Sequence, residues 1–153
     1  MSEYDDLLLD AYKGELFGDA FFGALADAQP DADRREKLRM LQTVEARTAT
    51  TLRRLVADAG LHTDPAVSRQ EGAQLAAGLD PENWEELLRG LRDALPQFLE
   101  KFVRLRDIAR TPTDPALDAL VNHERAIERF AEMELAGDKK SLKPLQDHLR
   151  RPA

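Results

Sequence analysis

The chain has 153 residues, 42% of them apolar and 33% charged, with a formal net charge of −7, which suits one folded domain over 1–153 with its own core. The acidic balance argues against nucleic acid and against an anionic membrane surface, both of which need a basic face. There is no Cys, which excludes disulfides, thiolate metal ligands and a Cys nucleophile. No apolar run approaches the roughly 20 residues that span a bilayer. The acidic start MSEYDD shows no secretory signal, so a cytoplasmic protein is expected.

Strand signals are nearly absent, and the expected fold is all-α. A first helix is predicted from about Tyr4 to Ala28, stopping before Gln29-Pro30-Asp31. A second runs from about Asp33 to Ala59, with Gly60 as its stop. The stretch from Leu61 to Pro81 is a long connection with a weak helical pattern at Val67, Leu75 and Leu79. A third helix is predicted over Glu82 to Arg110, stopped by Thr111-Pro112, with Pro96 bending it on an outward face. The fourth begins at Asp114-Pro115, a capping residue before a proline at the first helical position, and ends at Gly137. A short helix over Ser141 to Leu149 closes the chain. Short links make antiparallel hairpins of helices one and two and of helices three and four, and the long connection makes a crossover between them.

Three acids fall on faces that should be apolar. Glu45 lies in the stripe Leu38, Leu41, Glu45, Thr48, Leu52 and Leu55. Glu15 shares a side of its helix with Leu8, Ala11 and Phe22, and Glu124 shares one with Leu117, Leu120 and Ile127. Burying a lone carboxylate costs several kcal/mol unless it is paired, protonated or bound to a cation. Glu15 and Glu45 stand equally far from the turn at Pro30, so an antiparallel hairpin puts them at one level. Glu124 lies near the middle of its own helix, so the three can meet at the waist of the bundle. His123 flanks Glu124 on one edge. Gly14 and Gly18, near Ala11, allow a close helix approach.

On these residues the chain resembles the ferritin-like superfamily of di-iron carboxylate proteins, which includes rubrerythrins and bacterioferritins. The resemblance implies a ferritin-like four-helix bundle with Glu15 and Glu45 as the ligands of the first two helices and Glu124 as that of the fourth. The pattern then departs from the family. Thr48 and Ile127 stand where a His should follow each Glu-x-x, and the third helix shows Trp84, Leu88, Leu91, Leu95, Phe98, Phe102 and Leu105 with no acid among them. Glu100 points away from that stripe. Three of the six usual ligands carry over.

Three readings of the acids follow. In the first, Glu15, Glu45, Glu124 and His123 form a reduced site for one ion of Fe, Mn or Zn, with a redox or metal-handling role. In the second the core is metal-free, with the acids sharing protons and bonding to Tyr12, Thr48, His123 and water. In the third they are rim residues paired with Arg47, Lys13 or Arg125. His62 and His148 read as surface histidines. Phe17, beside Leu16 and Phe21, forms a second apolar face covered either by the crossover or by a partner, and a homodimer is the expected assembly. The alternative function is therefore a metal-free helical bundle acting as an oligomerisation or protein-interaction module.

Overall fold

A computed structural model of the chain describes residues 1–111 and 114–152. Pro112, Thr113 and Ala153, and with them part of the expected second turn, lie outside the described residues. The described residues form six helices: α1 (Glu3–Ala28), α2 (Ala32–Asp58), α3 (Pro65–Ala77), α4 (Trp84–Ile108), α5 (Pro115–Leu135) and α6 (Lys143–Arg150). The described residues contain no strand. Among the described residues no helix is long and apolar enough to cross a membrane.

Local chemistry sets most of the boundaries. Ser2, Asp31, Asp64 and Asp114 each cap a helix by accepting a backbone N–H, and Pro65 and Pro115 follow two of these caps at the helix start. Gly60 and Gly137 take positive φ just past α2 and α5, a conformation that costs other residues energy. Pro96 sits inside α4 on its exposed side, as expected.

Side-chain pairings give the running directions. Along α1 and α2, Gly18 approaches Glu45, Gly23 approaches Gln42 and Asp27 bonds Arg39, so the two are antiparallel. Along α1 and α4, Glu3 meets Arg104 and Asp10 meets Lys101, again antiparallel. Arg106 meets Asp118 near the α4–α5 turn. Lys37 meets Glu134 and Arg54 meets Asp114, so α2 and α5 are antiparallel as well. Taking α1 as up, α2 and α4 run down and α5 runs up.

The apolar core is in two parts. One gathers Leu8, Leu52, Phe102, Leu105 and Leu120; the other gathers Phe22, Leu41, Leu88, Ile127 and Phe130. Each of the four long helices contributes to both. The level between the two parts is where Glu15, Glu45, His123 and Glu124 fall. Helix α3 connects the ends: Leu61, before it, packs on the first part and Ala76, near its end, belongs to the second. It therefore runs alongside α1 in the same direction, as a crossover does.

Helix α3 does not pack as its sequence pattern suggests. Its buried stripe is Ser68, Gly72 and Ala76, three small residues four apart, while Val67, Leu75 and Leu79 stay exposed. A Cβ at Gly72 would stand 2.2 Å from the Phe17 carbonyl oxygen, so the two helix backbones touch there. The Phe17 side of α1 is thus covered, in part, by the crossover. Asp19 fastens this packing: it accepts from Arg69 at 2.7 Å and from Gln42 at 3.2 Å, joining α3, α1 and α2.

The C-terminal segment is also tied in. Glu134 accepts from Lys37 at 2.8 Å, Trp84 Nε1 at 3.2 Å and Ser141 at 2.6 Å. Arg47 donates to the Leu149 carbonyl at 2.7 Å and to the Arg151 carbonyl. Leu145 is fully buried, and His148, expected at the surface, is buried as well. That expectation fails because α6 folds back onto α2 and α5.

Candidate metal centre

Helices α1, α2 and α5 deliver four polar side chains to the gap between the two apolar clusters. Glu15 is 2% exposed, Glu45 6%, Glu124 5% and His123 0%. One ligating atom from each lies within 4.8 Å of the others. His123 Nε2 is 2.9 Å from Glu15 Oε1, 3.3 Å from Glu124 Oε2 and 3.6 Å from Glu45 Oε1. His123 and Glu124 are adjacent in sequence, yet both reach this point: His123 from inside α5 and Glu124 from its flank.

The histidine is oriented from behind. Its Nδ1–H donates to the Leu120 carbonyl oxygen one turn earlier on α5. That bond fixes the tautomer, so in the neutral ring Nε2 carries a lone pair toward the carboxylates. Nε2 and Glu15 Oε2 have no hydrogen-bond partner in the protein. Glu15 Oε1 nonetheless approaches Nε2 to 2.9 Å, a contact that is ionic only when the ring is protonated.

Burial raises the Glu124 carboxyl to about 8, against an opposing pull from the His123 charge. Glu45 is pushed well above the ordinary carboxyl range, by burial first and then by the Glu15 charge. Burial works to lower His123, but the charge and close approach of Glu15, with help from Glu45 and Glu124, hold it well above its ordinary value. Without a cation, the centre is a reservoir of protons. His148, whose ring lies 6.4 Å from that of His123, is held down at about 4 by burial and then by the charges of His123, Arg47 and Arg151.

Two of the other partners expected for the acids are engaged elsewhere, and two more are exposed. Thr48 donates to the Val44 carbonyl at 2.9 Å. Arg47 is bound to the C-terminal segment, and Lys13 and Arg125 are exposed. The rim reading fails because the three acids are buried and face inward toward His123. Helix α4 brings no acid; Phe102 stacks beside the His123 ring at 5.9 Å, and Glu100 is exposed. The glycines matter here too, because a Cβ at Gly18 would stand 2.3 Å from Glu45 Oε2.

Beside the centre lies a feature the sequence did not announce. A groove of about 1140 Å³ runs between α1, α3 and α4, and Glu15, Glu45 and Glu124 lie on its lining. No Cα of α3 lies within 8 Å of a Cα of α4. No protein-family model, curated protein or solved structure matches this chain.

Proposed function

We infer that the protein binds one metal ion of the Fe, Mn or Zn type through Glu15, Glu45, Glu124 and His123, and that its role is redox chemistry or metal handling. One observation carries this reading: four buried donor atoms from three helices converge on one point. Two ligands each about 2.1 Å from an ion stand about 3.0 to 3.4 Å apart at octahedral or tetrahedral angles. The distances from His123 Nε2, 2.9, 3.3 and 3.6 Å, span that range. The unpartnered Nε2 and Glu15 Oε2 are the atoms a cation satisfies. Three carboxylates and one imidazole form a hard, oxygen-rich set that suits these metals. A bound ion would supply a Lewis acid and, as Fe or Mn, a one-electron couple.

The surrounding architecture supports a ferritin-like bundle. The up, down, down, up order of α1, α2, α4 and α5, with α3 in the crossover, is the order of two hairpins joined by one long connection. The departures favour one ion over two, since α4 offers Phe102 where a second metal needs a carboxylate, and Ile127 cannot ligate.

A competing reading keeps the bundle metal-free and acting through a second copy or a protein partner. Its support is the exposure of Val67, Leu75, Leu79 and Phe98. Thermal unfolding with and without Fe(II), Mn(II) or Zn(II) separates the two. A resident ion raises the midpoint of the natural chain and leaves Glu45→Ala unmoved. In chelator, Glu45→Ala should be as stable as the natural chain or more so, because an acid that costs energy when buried has gone. Equal metal response in both proteins counts against the ligand assignment.

A further inference from the structure

The groove along α1 is lined mainly by apolar side chains. Apart from Met1, every large apolar side chain that is exposed (Val67, Leu75, Leu79 and Phe98) lies on its lining. Its volume, about 1140 Å³, exceeds the 300–1,000 Å³ typical of small-molecule sites. Both ends are bounded. The link that includes Leu79 and Asp80 joins α3 to α4 at one end, and the Asp10–Lys101 ion pair spans α1 and α4 at the other, at 3.5 Å. A trough spanned at both ends suits a discrete molecule better than a partner helix, which must run out past its ends. Its floor reaches Glu15, whose buried Oε2 has no partner in the protein.

Charge selects the kind of molecule. Outside the metal centre the lining carries five carboxylates, Asp10, Asp64, Glu71, Asp80 and Glu86, against two ammonium groups, Lys13 and Lys101. That field repels fatty acids and other anionic amphiphiles and attracts a positive end.

We propose that this groove binds a single-chain cationic amphiphile, an alkyl amine in chemical class, with the chain along Phe17, Leu75, Leu91 and Phe98 and the ammonium among the outer carboxylates. The inner three carboxylates face His123, so the site works with or without a metal, and the proposal does not stand or fall with the ion.

Two glycines allow a clean test. Gly14 on α1 and Gly90 on α4 line the groove, are exposed, and have nothing within 4 Å of an added Cβ. Gly90→Phe and Gly14→Phe place a ring in the trough while replacing a poor helix former. Calorimetric titration with dodecylamine and with dodecanoate, each below its aggregation concentration, would be run on the natural chain and both variants, with light scattering alongside. Dodecylamine should bind the natural chain roughly tenfold or more tightly than dodecanoate does. Each Phe variant should lose roughly tenfold or more of that affinity while keeping its helical signal. Equal binding of the two amphiphiles, or amine binding that the Phe variants leave intact, would overturn the proposal. So would the absence of amine binding, or a dimer of the natural chain that Gly90→Phe dissociates, which would make a second copy the occupant. Competition between dodecylamine and metal would put the ammonium at the inner carboxylates and overturn its placement among the outer ones.

Discussion

Glu124→Gln in the metal-free protein should flatten the dependence of stability on pH. In the folded chain burial lifts the Glu124 carboxyl from its ordinary 4.5 to about 8. Between those values the folded state holds a proton that the unfolded state has released, so stability falls as pH rises. One such proton is worth about 1.4 kcal/mol per pH unit, so the single group removes about 2 to 3 kcal/mol between pH 5.5 and 7.5. Glutamine is neutral throughout and removes that slope. Glu45 and His123, both raised, act in the same direction. His148, held down at about 4, acts the other way: its unfolded form binds more protons than its folded form until pH passes the ordinary histidine value. Glu124 interacts with His123 and Glu45, so the difference between the two slopes reports the Glu124 proton together with its effect on those two neighbours. Urea unfolding followed by circular dichroism, in chelator at both pH values, measures it. At pH 7.5 the variant should gain about 2 to 3 kcal/mol over the natural chain relative to pH 5.5. Parallel slopes in the two proteins would refute the buried, raised carboxyl.

Other substitutions probe separate parts of the structure. Gly18→Ala would set a Cβ 2.3 Å from Glu45 Oε2 and turn that carboxylate out of the centre. A metal titration should then show affinity weakened by roughly tenfold or more, with helical content unchanged. Gly72→Ala would press a Cβ to 2.2 Å from the Phe17 carbonyl, which cannot swing away as a side chain can. Chemical denaturation should record a loss of about 1 to 3 kcal/mol. Gly14→Ala meets nothing within 4 Å and should gain about 0.5 to 1 kcal/mol in the same assay.

Much of this was legible in the sequence. Asp31, Asp114, Pro115, Gly60 and Gly137 mark helix ends through chemistry that acts within a few residues, and the structure keeps those ends within a residue or two. The inward facing of Glu15, Glu45 and Glu124 followed from helical period, and their shared level from the short link at Pro30. His123 read as an edge residue because one helix seen alone gives its angle but not where the neighbouring helices stand. His148 was misplaced for a related reason: its burial depends on Arg47 holding the C-terminal backbone, a contact between residues far apart in the chain. The pattern in α3 misled because exposed Val67 and Leu75 look like core, whereas the buried contact uses Ser68, Gly72 and Ala76, whose value lies in being small. The groove was invisible because no local pattern records how far α3 and α4 stand apart.

Elemental analysis of the reconstituted protein tests the metal centre most directly. The natural chain, purified without chelator, loaded with Fe(II), Mn(II) or Zn(II) and desalted, should retain about one ion per chain of at least one of these metals, and Glu45→Ala should retain almost none. Less than about a tenth of an equivalent in the natural chain, or equal retention by the two proteins, would contradict the centre.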